Sequence, residues 1–317
     1  MRQIFLLIAL IIMNMVTVNA QNNNKCMENN KSTLRLIYPQ WQGGGTIAEF
    51  IPELPAEDAY KGYWLGSQLL KILAPETTQK TIEVPISLDI NDRVMEKGII
   101  SYRTILKQTK SALDILRENN PDRIVTLGGE CSVSVVPFTY LAEKYADDVA
   151  IVWIDAHPDL NLPHEGHKGY HAMACMGMGD AEIMQLLPAK VNTSKALIVG
   201  LRAWETEGGT KERQKELGVK HLSPEEVANS SAPVIEWLKS SGVSKVVIHF
   251  DLDVIDPKEM VAAVGTDPEG MKIDEVVRVI NDISNEYDLV GLTIAEPMPR
   301  TAIKIRNMLS KLPLLIE

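Results

Sequence analysis

The sequence predicts an α/β fold, a parallel sheet covered by helices on both faces, and three observations carry that reading. Short apolar, β-branched runs alternate along the chain with longer stretches whose apolar residues recur at helical spacing. The 317 residues are 45% hydrophobic and 23% charged, with 20 Gly and 17 Pro. That is ordinary globular composition, which excludes disorder, collagen-like structure and coiled coil. No internal repeat and no Pro/Ser-rich linker divides the chain, so residues 32–317 are expected to form one domain.

The elements follow in order. Arg2 is the lone charge before an apolar run at 4–13, and Val18-Asn19-Ala20 has the small-residue spacing of a signal-peptidase site. The run is shorter than the ~20 residues a membrane-spanning helix needs. A signal peptide over residues 1–20 and export, periplasmic or secreted, are therefore expected. The alternatives are a retained anchor, or a cytoplasmic chain with a buried N-terminal helix. Residues 21–31 are polar and Asn-rich, a flexible leader. Buried strands are expected at 34–38, 123–127, 149–154, 196–199, 245–250 and 289–294. Helices are expected between them at 62–73, 101–118, 133–145, 233–240 and 273–284. Ser223-Pro224-Glu225-Glu226 reads as a helix start, with a capping hydroxyl, a first-turn proline and acids at the positive dipole end.

Charge and cysteine content narrow the function classes. The 42 acids outnumber the 32 bases, giving −10, which argues against a nucleic-acid partner and suits a cationic or neutral small ligand. Three cysteines cannot staple a chain of this length.

In a parallel sheet the working residues sit just past the carboxyl ends of strands. Three unusual runs fall there: Gly128-Gly129-Glu130-Cys131-Ser132, Asp155-Ala156-His157-Pro158-Asp159 and Asp251-Leu252-Asp253-Val254-Ile255-Asp256-Pro257. In extended backbone, residues two apart point the same way, so Asp155, His157 and Asp159 can converge, as can Asp251 and Asp253. Packed carboxylates repel and take up protons unless cations neutralise them. Two divalent metals bridged by carboxylates would do so and can hold a hydroxide nucleophile between them. Oxygen-rich ligation with one or two imidazoles favours manganese over a thiolate-loving metal. Of 6 histidines, His157, His164, His167 and His171 fall within one short stretch. Any one of these motifs alone reads as a turn or a hydrogen-bonded core residue; together they read as a metal site.

With a late Gly291-Leu292-Thr293-Ile294-Ala295-Glu296-Pro297 run, these motifs occur in the order that marks the arginase/agmatinase (ureohydrolase) family. The chain resembles that family over roughly residues 34–312, in a branch with Cys in place of the first His metal ligand. The resemblance implies a three-layer αβα sandwich with a parallel, about eight-stranded sheet, two Mn2+ ions, a homo-oligomer (trimer or hexamer) and hydrolysis of a guanidino or amidino C–N bond. By position it implies Cys131, Asp155, Asp159 and Asp251 at the first metal, and His157, Asp155, Asp251 and Asp253 at the second. Asp155 and Asp251 would bridge the two. It gives Glu296 the cationic guanidinium to hold and His171 a proton to shuttle, with His167 and His164 as close competitors. A thiolate at Cys131 moves preference at that position toward zinc, cobalt or iron.

Departures concern the substrate. Lys168-Gly169-Tyr170-His171 lacks the serine and asparagine that grip the amino-acid end of arginine in the family. Ala203 replaces an acid after Gly200-Leu201-Arg202, although Glu205 and Asn161 remain as substrate-binding candidates. Glu130 stands where the family has aspartate, one methylene longer.

The remaining features are weaker. The glycine-rich Trp41-Gln42-Gly43-Gly44-Gly45-Thr46 loop lacks the Lys-Ser/Thr of a phosphate loop, so it is expected to shape the cleft or a subunit contact. Met173, Met176 and Met178 beside Cys175 read as flexible filler before soft-metal ligands, and a Cys26–Cys175 pair has nothing to support it. Two further functions stay open: a metal-dependent amidohydrolase on a formimino group or an acylated amine, and an exported non-enzymatic binding protein of the same fold. Urea release separates the first reading from these, and metal content isolates the last.

Overall fold

A computed structural model of the protein describes residues 31–146, 148–175, 181–190, 192–204 and 209–312. The signal-peptide and leader expectations, Cys26, Met176, Met178 and Glu205 lie outside the described residues, save Lys31 at the leader's end. In chain order the described elements are β1 (Thr33–Tyr38), α1 (Ala56–Tyr60), α2 (Gly62–Leu73), β2 (Lys80–Glu83), β3 (Met95–Glu96), β4 (Ile99–Ile100), α3 (Tyr102–Asn119) and β5 (Arg123–Gly128). There follow α4 (Val135–Tyr145), β6 (Val149–Ile154), α5 (Ala181–Leu186), β7 (Ala196–Val199), α6 (Thr210–Leu217) and β8 (Lys220–Leu222). The last are α7 (Pro224–Val227), α8 (Ala232–Ser241), β9 (Lys245–Asp251), α9 (Ile273–Glu286), β10 (Asp288–Ala295) and α10 (Arg300–Leu309).

Eight strands pair in the order β2-β1-β5-β10-β9-β6-β7-β8, and every pairing is parallel. A parallel sheet must be covered on both faces, and the alternation along β6 shows how. Ile151 and Trp153 pack with Ala112, Leu113 and Leu116 of α3 and Val136 and Leu141 of α4. Ala150, Val152 and Ile154 point the other way, onto Val234 and Leu238 of α8 and Val276, Val279 and Ile283 of α9. The result is the three-layer sandwich, with β2 and β8 as edges. All six expected strands are present. The edge strands and the small β3–β4 hairpin are additions that the apolar runs did not announce.

Local chemistry sets the helix ends. Residues Ile105, Thr109, Ala112, Leu113 and Leu116 form the buried stripe of α3, spaced three and four apart as an amphipathic helix requires. That helix stops at Asn120, which takes the left-handed conformation with Pro121 behind it. At α7 the expected cap is a complete capping box: the Ser223 hydroxyl accepts from the Glu226 amide and Glu226 reaches back to the Ser223 amide. Helix α2 lies so close to the end of β10 that a Cβ at Gly66 would stand 1.8 Å from the Pro297 carbonyl oxygen. No helix among the described residues is long and apolar enough to cross a membrane.

Candidate metal and substrate site

The four central strands β5, β10, β9 and β6 end side by side, and each delivers side chains to one cleft. Cys131 opens a 3-10 turn after β5, Asp155 and His157 follow β6, Asp251 ends β9 with Asp253 in the 3-10 turn after it, and Glu296 follows β10. The cleft has a volume of about 210 Å³ and is lined on its floor by Cys131, His157, Asp159, Asp251, Asp253 and Glu296. That space suits a ligand of amino-acid size. His167 and His171 also line it, and Ile47, Phe50 and Val264 give it an apolar part.

Backbone amides and ring nitrogens aim the acids. The Asp155 carboxylate accepts from the His157 amide at 2.7 Å and from the Trp153 indole at 2.8 Å, and Asp251 accepts from the Asp253 amide at 2.7 Å. His157 lies 3.0 Å from Asp253 through Nδ1 and 3.3 Å from Asp267 through Nε2. The Cys131 Sγ stands 3.0 Å from an Asp251 oxygen and 3.3 Å from Glu296. Asp159 and Glu296 both hold positive φ, +48° and +62°, conformations that cost a non-glycine residue about 1–3 kcal/mol and that cluster at functional sites.

The electrostatics are those of a site built for cations. Burial, followed by the Asp253 charge, pushes Asp155 up to about 6. Burial and then the carboxylates of Asp253, Asp155 and Glu296 raise Asp251. Glu296 is pushed up to about 8, chiefly by burial. The Cys131 thiol is driven well above its ordinary value by burial, then by Asp159 and Glu296. Burial alone would lower His157, but Asp253, Asp155 and Asp267 hold it protonated, and His157 in turn offsets burial to keep Asp253 low. Without a cation, these groups neutralise one another by retaining protons.

Two sets of donors lie close enough to hold an ion: Asp155, His157 and Asp253, and Cys131, Asp155 and Asp251 together with His249 of β9, the donor atoms of each set within 4.8 Å of one another. The donor chemistry therefore fits divalent metals. Asp159 lines the same cleft without falling in either set. Sequence reasoning placed His249 only in a strand, although the two-residue period that pairs Asp251 with Asp253 also reaches back to it.

Other expected residues sort as follows. His171 faces the cleft, its Nδ1 2.8 Å from the Gly43 carbonyl; enclosure, then neighbouring His167, brings it down to about 3, so the ring is neutral. His164 is exposed and does not line the cleft. Asn161 is fully buried, is not among the cleft-lining residues, and its amide atoms make no side-chain hydrogen bond. The glycine-rich loop shapes the cleft, as expected: Gly44 lines it, and a Cβ at Gly43 would come 2.3 Å from Glu130. The longer Glu130 thereby finds its reason. Its carboxyl lies under this loop and accepts from Gln40, from the Ser132 amide and from the Ser132 hydroxyl at 2.7–2.9 Å. Met173 is buried with Tyr102, Tyr170 and Ile183, consistent with filler, and Cys175 is a free buried thiol.

Three supporting residues went unseen in the sequence. Tyr63 of α2 donates to Glu296, Asp267 meets His157, and Arg202 donates to the carbonyls of Asp253 and Asp267, each at 2.9 Å. Tyr63 and Asp267 sit in no motif, and Arg202, although it closes the Gly200-Leu201-Arg202 run, was given no role there, because each reaches the site across the fold.

Comparison with known proteins agrees with this geometry. The family model described as "Arginase family" matches residues 71–310. The mitochondrial arginase 1 of Arabidopsis thaliana is 28% identical over 242 residues, spanning 75% of this chain and 66% of that protein, just under two thirds of its length. In three dimensions the fold is similar to the crystal structure of Entamoeba histolytica arginase in complex with L-ornithine, with a TM-score of 0.68 at 18% identity over 85% of this chain and 92% of that one. It is also similar to the arginase of Bacillus caldovelox, with a TM-score of 0.66 at 18% identity over 90% and 99%. The chain belongs to the arginase family.

Proposed function

We propose that this arginase-family hydrolase cleaves a guanidino or amidino C–N bond, releasing urea, at a binuclear manganese centre. The observation that carries the reading is the convergence of Cys131, His157, Asp251, Asp253 and Glu296 on one cleft, with the buried Asp155 shared by both donor sets beneath them. Cys131, Asp155, Asp159 and Asp251 would hold one ion, and His157, Asp155, Asp251 and Asp253 the other. When bound, the ion pair supplies a hydroxide nucleophile at neutral pH.

The chain's own residues do the rest. Glu296, fixed by the Cys131 amide at 3.0 Å and by the Tyr63 hydroxyl, receives the guanidinium through charge-assisted hydrogen bonds. The cation favours the ionised carboxylate and so lowers the raised affinity of Glu296 for its proton. His171, with Nδ1 committed to Gly43, presents Nε2 to take a proton and return it to the leaving amine. Its lowered proton affinity makes the ring a weak base but a strong donor once protonated, which suits delivery of the proton to the leaving amine. Asp253 and Asp267 orient His157, and Arg202 ties their loops together.

The apolar lining of Ile47, Phe50 and Val264, with Asn161 absent from the residues that line the cleft, favours a guanidino compound other than arginine. Glu205 is retained as a candidate for the substrate's far end. We further propose assembly as a trimer or hexamer, and export after removal of residues 1–20; sedimentation and N-terminal sequencing of the mature protein check these. The central test is a screen of guanidino compounds against the manganese-loaded protein, with urea measured. Urea from at least one guanidino substrate is expected. Release of formamide or a carboxylic acid from formimino or acylated amines, without urea from any guanidino compound, would replace this reading with the amidohydrolase one.

A further inference from the structure

We propose that His249 is a ligand of the metal position beside Cys131, supplying through Nε2, from β9, the imidazole that the residue after Glu130 does not provide. The proposal rests on the binuclear reading above. His249 precedes Asp251 by two residues in β9, so both side chains project from the same face of the sheet. It is fully buried, and its Nε2 has no hydrogen-bond partner. A buried polar atom left that way costs about 1–3 kcal/mol, a cost that coordination would remove.

The ring is held as metal-ligating imidazoles are held. Its Nδ1 lies 2.7 Å from the Ser134 hydroxyl. We assign Nδ1–H as the donor, which leaves the Nε2 lone pair directed at the site; an outer hydrogen bond of this kind fixes the tautomer of a ligand histidine. Trp153, paired with His249 across β6 and β9, stacks on the imidazole with centroids 3.6 Å apart and an interplanar angle of 8°. The same indole donates to Asp155 at 2.8 Å, so one side chain aligns both the imidazole and the carboxylate next to it.

The distances suit one small ion. His249 Nε2 lies 4.0 Å from Asp155 Oδ2, Cys131 Sγ lies 3.0 Å from Asp251 Oδ2, and the four donors fall within 4.8 Å of each other. Tetrahedral bonds of usual length put ligands roughly 3.3–3.8 Å apart, within reach by small side-chain rotations. One sulfur, one imidazole and two carboxylates make a softer donor set than the Asp155, His157 and Asp253 group, and suit zinc, cobalt(II) or iron(II).

The test reconstitutes metal-free full-length protein with cobalt(II) and records metal stoichiometry, the thiolate-to-cobalt absorption band and X-ray absorption at the cobalt edge. Wild type, His249→Gln and Ser134→Ala are compared. Wild type should bind two ions with an average of one imidazole per cobalt. His249→Gln should lose one equivalent, or bind it at least ~100-fold more weakly, and keep the other. Ser134→Ala should retain both ions, with the affinity of one reduced about 10- to 100-fold. Two ions held by His249→Gln at wild-type affinity and with an unchanged spectrum would overturn the assignment and leave the binuclear reading standing. If His249→Gln does not fold, the wild-type spectrum decides alone: half an imidazole per cobalt, from His157 only, overturns the proposal. A folded wild type that binds no metal overturns both.

Discussion

Both carboxylate oxygens of Glu296 are engaged before any substrate arrives: one accepts from the Cys131 amide and the other from Tyr63. The residue also holds a φ of +62°, which the tight passage from β10 imposes. If its role is to receive a guanidinium, Glu296→Gln should lower kcat/KM by about 10- to 1000-fold, the range of a lost charge-assisted contact. Metal content should stay at the wild-type value, checked by elemental analysis beside steady-state kinetics. Loss of metal or of thermal stability would instead give Glu296 a structural role. At this scale the sequence made the acids legible because they sit in short motifs immediately after apolar runs. His249 was hidden by its strand: a lone histidine among Val246, Val247, Ile248 and Phe250 reads as core. Tyr63 and Asp267 were invisible, and the role of Arg202 was unread, for another reason, since contacts spanning the fold leave no local pattern.

Among elements, the six central and inner strands were readable because burial on both faces demands continuous apolar runs. The two edge strands have no such demand. β2 is Lys-Thr-Ile-Glu and β8 is Lys-His-Leu, short and charged, which is how edges avoid pairing with other chains. Helix α2 was legible from its apolar spacing, but its function was not. Its glycine lets the helix seat against the turn that carries Glu296, with 1.8 Å between a hypothetical Cβ at Gly66 and the Pro297 oxygen. Backbone cannot move aside as a side chain can. Gly66→Ala should therefore destabilise the protein by about 2–3 kcal/mol in urea denaturation, and should reduce turnover by displacing Glu296 and Tyr63 together. An unchanged midpoint with full turnover would show that this approach is not needed.

For the whole molecule, the buried acids tie stability to pH and to metal. As pH rises above 6.5 the neutral buried histidines His171 and His249, both brought down to about 3, differ less and less in protonation between folded and unfolded chains. Glu296, raised to about 8, and His157, raised well above its usual value, still do. The folded state binds more protons than the unfolded one, so the stability of metal-free protein should fall between pH 6.5 and 8. Each proton retained only by the folded state contributes about 1.4 kcal/mol per pH unit to that slope. Saturating manganese should flatten or reverse the trend, as cations replace the protons; melting temperatures measured across that range with and without metal decide it. The sheet order carries a consequence for how the molecule is made. β10 sits between β5 and β9, although it follows both in the chain. Until it emerges, the chain can build only two half-sheets, β2-β1-β5 and β9-β6-β7-β8, each with an open edge that invites mispairing. Cys131 belongs to one half, and Asp155, His157, His249, Asp251 and Asp253 to the other. A single late strand thus closes the sheet and the cleft in one event, and a chain that has not yet made it has an exposed seam where its metal centre will be.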